Sequence, residues 1–186
     1  MAREVPAVEE SSATHAAVGS VAIVIPAHNE GRNLGPVLQS LPKGLPGFPR
    51  LLPIVVDDGS SDDTRRIALA AGARVLRHRV NLGMGQALIS GTEAAIANGA
   101  DIVVHMDGDG QHSPDDLPAL LEPFTRGAQF VSGVREFSGQ MPLVMRFGNY
   151  FLSMAMSVLL GVRHPDTQCG YRAFTAEAWP RLRWRP

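Results

Sequence analysis

Two carboxylates one residue apart, Asp107 and Asp109, stand in Met106-Asp-Gly-Asp-Gly-Gln-His112, directly after the apolar run Ile102-Val103-Val104. Like charges held this close raise each other's pKa unless a positive centre lies between them. A divalent cation is the simplest such centre. Carboxylate and amide oxygens, here from Asp107, Asp109 and Gln111, suit the hard ions Mg²⁺ and Mn²⁺. Gly108 and Gly110 let a ligand come close to the backbone. Two plainer readings compete. The tetrapeptide can be only a polar turn. An EF-hand loop counted from Asp107 fails, because its sixth residue is His112 rather than Gly and its twelfth is Pro118 rather than Glu.

Two more acidic clusters follow apolar runs. Val21–Ile25 and Pro26 lead into Ala27-His28-Asn29-Glu30, and Leu51–Val56 lead into Asp57-Asp58-Gly59-Ser60-Ser61-Asp62-Asp63-Thr64. Ser61 or Asp62 can cap a helix from Thr64, and Asn33 or Asn29 the helix read over Asn33–Leu41. Asp57 and Asp58 stand ahead of any cap and need another reason. Asn81-Leu82-Gly83-Met84-Gly85 opens a further helix. Its glycine N–H groups are expected to be open to an anion such as a diphosphate, a packing turn being the plainer alternative. Asp115 and Asp116, after Ser113-Pro114, read as helix-dipole partners rather than catalysts.

These residues need elements to hold them. Hydrophobic periodicity predicts strands over Val21–Ile25, Leu51–Val56, Ala73–Leu76, Ile102–Val104 and Phe130–Val134. It predicts helices over Asn33–Leu41 and Thr64–Ala71, one started by Asn81–Gly85 and running to about Asn98, one over Ser113–Arg126, then an apolar helix from about Pro142. His164 to Arg172 reads as a polar turn, and Thr175 to Arg183 as a last helix. Alternating strands and helices predict an α/β fold with a doubly wound, mostly parallel sheet flanked by helices. In that architecture strand carboxyl ends share one edge, so Glu30, Asp57/Asp58 and Asp107/Asp109 are expected in one cleft.

Bulk properties narrow the class. The chain has 186 residues, 45% of them hydrophobic and 19% charged, which suits one globular domain with a real core. A net charge of -1 offers no basic field for nucleic acid. Cys169 is the only cysteine, which excludes an internal disulfide and fits a reducing compartment. Residues 1–20 carry acids and lack an apolar signal region. They read as a disordered lead-in, leaving 21–186 as the domain. Leu143–Val162 is apolar but broken by Arg146 and Asn149. It reads as a buried helix, with a helix lying in a membrane interface as the alternative.

Taken together, the motifs resemble a family. Val24-Ile-Pro-Ala-His-Asn-Glu30, Val55-Val-Asp-Asp-Gly-Ser-Ser-Asp-Asp-Thr64, Met106–His112, Gly133-Val-Arg135, Arg146-Phe-Gly-Asn149 and Asp166–Arg172 come in the order and spacing of the family 2 glycosyltransferases. Those enzymes have the GT-A fold, a Rossmann-like sheet, and the chain resembles most the dolichol- and polyprenyl-phosphate hexosyltransferases. The resemblance implies a role for each matching residue. Pro26, His28 and Glu30 would line the donor's base and ribose, His28 standing where the motif usually has tyrosine. Val56 and Asp58 would contact the base, Asp58 accepting from a ring N–H. Asp107 and Asp109, around Gly108 and with Gln111, would hold Mg²⁺ or Mn²⁺ on the donor diphosphate. Arg135 and Arg146 would bind phosphate, that of the acceptor first, and Asp166 would face the sugar or acceptor.

The activity implied is inverting transfer of a hexose from a UDP- or GDP-linked sugar to a lipid phosphate. The place implied is the cytoplasm, peripheral to the inner membrane face. Family members usually run on past the Gly-Tyr-Arg region, so the chain is expected to be short at its C-terminus. The alternative is a nucleotide-binding remnant that transfers nothing. A sugar nucleotidyltransferase ranks low, since it would want a Gly-rich basic loop where His28-Asn29-Glu30 stands.

Overall fold

The computed structural model describes residues 19–110, 112–133 and 170–182. Runs of Val and Ile make the central strands: β1 (Ser20–Ala27), β2 (Arg50–Asp58) and β4 (Ile102–His105). All of β4, and β1 beyond Ser20, is buried. Burial on both faces is why these strands read as unbroken apolar runs rather than alternating ones. Around them lie α1 (Leu34–Ser40), α2 (Thr64–Ala70), β3 (Arg74–His78), α3 (Met84–Ala97), α4 (Leu117–Leu121), β5 (Phe130–Ser132), β6 (Arg172–Thr175) and α5 (Trp179–Leu182). Short 3₁₀ turns, Pro114–Asp116 and Glu122–Arg126, flank α4. The Ser113 hydroxyl accepts from the Asp115 N–H, the cap expected there.

The sheet has six strands in the order β3-β2-β1-β4-β6-β5. The first four are parallel. Alternate residues of β1 feed two cores. Val21, Ile23 and Ile25 pack with Leu34, Val37, Leu38, Leu117 and Leu121 on one face, and Ala22 and Val24 pack with Ala87, Ala95 and Phe174 on the other. The chain winds outward from β1 through β2 to β3, then crosses back to start again at β4. The sheet therefore has a switch point between β1 and β4, where open α/β folds form a crevice at the carboxyl ends of the strands.

Three expectations need correction. Arg172–Thr175, read as the end of a turn and the start of a helix, is a strand that runs antiparallel to both β4 and β5 and lies between them. Four residues are too few to show a period. What makes the strand is tertiary: Ala173 and Phe174 are buried, and their neighbours β4 and β5 offer open edges. The helix expected from Thr175 shrinks to Trp179–Leu182. Ser20, expected in the lead-in, belongs to β1, its N–H and hydroxyl bound to Asp101 and Gly99 at the foot of β4. Residues 1–18 of the lead-in and the apolar segment 143–162 lie outside the described residues. Among the described residues no helix is long and apolar enough to cross a membrane.

Gly91 sets how closely α3 sits on the sheet. A Cβ there would lie 2.4 Å from Val24 Cγ1 and 2.8 Å from Val56 Cγ2. Both neighbours are β-branched, with stiff χ1, and cannot swing aside. Gly91→Ala gains up to about 1 kcal/mol of helix propensity and loses about 1–3 kcal/mol to overpacking. The clash is expected to win: the urea midpoint should fall, and an unchanged or higher midpoint would contradict this packing.

Candidate active site

Parallel register brings three strand ends to one edge. Ala27 of β1 pairs with Asp57 of β2, and Val24 pairs with His105 of β4. The loops that follow emerge side by side over the switch point. A cavity of about 260 Å³ opens there, lined by Pro26, Ala27, His28 and Glu30 from the first loop, Asp58 from β2, and Asp107, Gly108 and Asp109 from the third loop. Asn81, Gly83, Met84 and Ala87 close it from the head of α3. Glu30, Asp58, Asp107 and Asp109 thus meet in one cavity, with Pro26, His28 and Gly108. Val56 does not join them: it is fully buried, and its side chain packs beneath Gly91 in the α3-side core. Gln111, Arg135, Arg146 and Asp166 lie outside the described residues.

The acid pair at the end of β2 divides. Asp57 is fully buried and is not part of the lining. Its Oδ1 accepts from the Ser60 N–H at 2.9 Å, and its Oδ2 lies 3.3 Å from Arg77 Nε, an ion pair without hydrogen-bond geometry. Asp58 faces the cavity but is held on several sides. Oδ1 accepts from His78 Nδ1 at 2.7 Å and from the Leu82 N–H at 2.9 Å, and Oδ2 accepts from the Gly83 N–H at 2.8 Å. Burial pushes the Asp58 pKa up, but the bonds from Leu82, His78 and Gly83, with the charge His78 can carry, outweigh it and hold the carboxyl below its ordinary range. The expected opening for a diphosphate at Gly83 is therefore corrected. Its N–H is already given to Asp58 and to Asn81 Oδ1, so the anion at the head of α3 is the chain's own carboxylate.

The first loop is pinned to the second. The Glu30 N–H donates to Thr64 Oγ1, the Gly31 N–H to Asp62 Oδ2, and the Asn29 N–H to Ser60 Oγ. Asn29 takes φ +57, and its side-chain oxygen accepts from the Ser61 N–H. Asn29 is thus a clasp between loops, not a helix cap. The Asn33 side chain donates to Glu30 Oε2, and the cap position of α1 has no side-chain bond. Asp62 accepts from the Thr64 N–H just ahead of α2, but the cap position itself is Asp63, which makes no side-chain cap bond, so the expected cap at Ser61 or Asp62 is corrected. His28 Nδ1 is 2.8 Å from the Asp58 carbonyl oxygen and Nε2 is 3.1 Å from Asn29 Nδ2. A carbonyl can only accept, so the proton sits on Nδ1 and Nε2 accepts from the amide; these partners assign a neutral ring.

Sequence reasoning passed over His112, which sits beneath the third loop. It is buried, stacks on Tyr171 at 4.9 Å between centroids, and accepts the Asp107 N–H at Nδ1, 3.1 Å away. That bond leaves Nδ1 without a proton. The 3.7 Å approach of the same atom to Asp107 Oδ2 is therefore a contact of a neutral ring, not an ion pair. Gly170, arriving just before β6, presses on the same carboxylate: a Cβ there would be 2.9 Å from Asp107 Oδ2. Nearby His105 is core. It bonds Thr92 Oγ1 at 2.8 Å and meets Phe174 edge-on, and burial, helped by the charge of Arg172, pushes its pKa down to about 4.

These residues fit a divalent cation of one kind. Among the described residues no group of three or more His, Cys, Asp or Glu side chains forms a metal cage. No protein donor among them bonds the Asp107 carboxylate, whose side chain is 30% exposed toward the cavity. Mg²⁺ takes one or two carboxylates and completes its shell with water and substrate phosphates rather than with an all-protein cage. Asp107 and Asp109, both lining the cavity, would make such a half-set.

Comparison with known proteins agrees with this geometry. The glycosyl transferase family 2 profile matches residues 22–178. The chain is 33% identical over 179 residues to the UDP-N-acetylglucosamine–dolichyl-phosphate N-acetylglucosaminyltransferase of Methanococcus voltae, covering 84% of this chain and 69% of the relative. It is 34% identical over 166 residues to the undecaprenyl-phosphate mannosyltransferase of Micrococcus luteus, covering 84% and 67%. Its fold matches the crystal structure of glucosyl-3-phosphoglycerate synthase from Mycobacterium tuberculosis in complex with Mn²⁺, uridine diphosphate and glucosyl-3-phosphoglycerate. The TM-score there is 0.65 at 30% identity, over 85% of this chain and 57% of that one. The chain spans about two thirds of the length of the curated relatives it matches. With the profile covering most of it and the sheet, crevice and acidic loops in place, the chain belongs to glycosyl transferase family 2 and has the GT-A fold.

Proposed function

We propose that residues 21–186 form a glycosyltransferase domain that moves a hexose from a UDP- or GDP-linked sugar to a polyprenyl or dolichyl phosphate, with inversion. One observation carries this reading. The cavity is lined by four carboxylates and, among the described residues, by no lysine or arginine. A nucleoside diphosphate is itself an anion, and such a wall repels it unless a cation bridges the two. Asp107 and Asp109 would hold that cation, Mg²⁺ or Mn²⁺, with Gln111 completing the set. The solved relative carries Mn²⁺ with uridine diphosphate, and the curated relatives' names state lipid-phosphate acceptors, which supports the reading.

The chain's own residues then divide the work. Pro26, His28 and Glu30 flank the base and ribose, and Asp58 accepts from a ring N–H of the base. Its depressed pKa keeps it ionised and an acceptor at neutral pH. The acceptor phosphate is already ionised, so it attacks the anomeric carbon without a general base. The bond from that carbon to the diphosphate oxygen breaks on the opposite face, and the electron pair leaves with the diphosphate. When bound, the cation supplies Lewis-acid stabilisation of the charge on that leaving group. Arg135 and Arg146 grip the acceptor phosphate, as guanidinium geometry favours, and Asp166 faces the sugar or acceptor. A lipid acceptor places the reaction at the cytoplasmic face of a membrane, with the domain peripheral to it.

A thermal-shift panel of UDP- and GDP-sugars with Mn²⁺ or Mg²⁺ tests the donor class. At a concentration near 100 Kd the right donor should add about 2.7 kcal/mol, a rise of roughly 5–10 °C that EDTA removes. No shift with any nucleotide sugar would refute the reading. Asp107→Asn and Asp109→Asn should each lose the Mn²⁺-dependent shift and slow transfer of labelled sugar into lipid extract by about 10²–10³-fold. Full metal-dependent turnover in either variant would remove those residues from the metal site. Donor binding without any transfer would identify a nucleotide-binding unit instead.

A further inference from the structure

We propose that His78, which lies outside the cavity lining, is a positioning residue for the donor pocket and acts through Asp58. The proposal rests on the pocket reading above. His78 is the last residue of β3, the edge strand, and pairs in register with Asp58. Its side chain is 10% exposed. Nδ1 donates to Asp58 Oδ1 at 2.7 Å, and Nε2 lies 3.1 Å from Ser90 Oγ on α3, which also receives the Gln86 amide at 3.3 Å. The ring is thus fixed from both sides, and it fixes the carboxylate in turn.

What the carboxylate holds is the pocket wall. The loop from Arg79 to Gly83 brings Asn81 and Gly83 into the lining, with Met84 after it. Apolar burial does not anchor this loop: Val80, Leu82 and Met84 are 62%, 53% and 62% exposed. Its anchors are polar, the Leu82 and Gly83 N–H groups on Asp58. Gly59 packs close beneath it: a Cβ there would lie 2.6 Å from the Val80 carbonyl carbon. A carboxylate free to rotate would release both N–H groups and turn its own acceptor edge away from the base. Oδ1 carries the Leu82 N–H and Oδ2 the Gly83 N–H, and the bond from His78 to Oδ1 is a third anchor that removes that freedom.

The order Asp58–His78–Ser90 also has the connectivity of a nucleophilic triad. Ser90 lies in the middle of α3, where the backbone N–H groups are spent on the helix, so no oxyanion site accompanies it. The chain of bonds is a strut.

Asn and Gln substitutions separate the two ring nitrogens, because the Asn amide nitrogen falls near Nδ1 and that of Gln near Nε2. In the full chain, His78→Gln should weaken binding of UDP or GDP with Mn²⁺, whichever wild type binds, by about tenfold in calorimetry, and His78→Asn should stay within about threefold. Mn²⁺ alone should bind equally to all three. Without nucleotide, amide exchange at Leu82 and Gly83 should quicken about tenfold in His78→Gln and little in His78→Asn. Ser90→Ala, a change of one atom, should shift both readouts the same way by about two- to threefold, and it serves if His78→Gln does not fold. Wild-type binding and exchange in His78→Gln, or in Ser90→Ala where it must stand in, would overturn the proposal, as would equal losses in Gln and Asn. If wild type binds neither nucleotide but exchange responds as stated, the strut stands and the donor-pocket reading falls.

Discussion

Negative charge crowded at one sheet edge is the constraint on which the rest of the structure depends. Parallel pairing of β1, β2 and β4 delivers carboxylates from three loops to one place. Each needs a compensating partner, and each finds a different one. Asp57 turns away to Arg77, and Asp58 takes two backbone N–H groups and an imidazole. Asp107 and Asp109 remain turned to the cavity, Asp107 with no bonded donor among the described residues. Charge that the fold neutralises for itself builds the walls. Carboxylate that still faces the cavity is where a bound cation would sit.

The scaffold is built to keep that arrangement still. Strands buried on both faces cannot slip by one residue without pushing each side-chain set into a core packed for the other. The first two loops are clasped by Asn29, Ser60, Asp62 and Thr64. Helix α3 sits close on β1 and β2 through Gly91, which brings its head over the cavity. The third loop is backed by the His112–Tyr171 stack. None of these contacts touches a reactant, yet each sets a distance in the cavity.

Much of this was legible in the sequence. Apolar runs ending in acids gave the parallel strands and the edge they share, because burial on both faces and strand-end polarity are local signals. The meeting of Glu30, Asp58, Asp107 and Asp109 followed from topology alone. What could not be read was direction at single residues. Asp57 and Asp58 are adjacent, so the pleat sends them to opposite sides, and only the register with β3 decides which finds Arg77 and which finds His78. Val56 was assigned to the donor by motif, but the same alternation puts it under α3. Strand β6 was hidden because four residues carry no period. His112 was hidden because its partners, the Asp107 N–H and Tyr171, are set by a loop turn and by a strand far along the chain.

Strand β6 also changes how the two ends of the chain relate. It returns from residue 170 into the slot between β4 and β5, and the Gly133 N–H meets the Tyr171 carbonyl at 2.8 Å. Everything from residue 134 to residue 169 therefore departs and re-enters at one doorway, through adjoining strands. An excursion with both feet so close can be lengthened, shortened or replaced at small entropic cost while the six strands keep their pairing. The six-stranded scaffold and the intervening segment can thus evolve separately, one conserving how charge is held at the crevice and the other free to change.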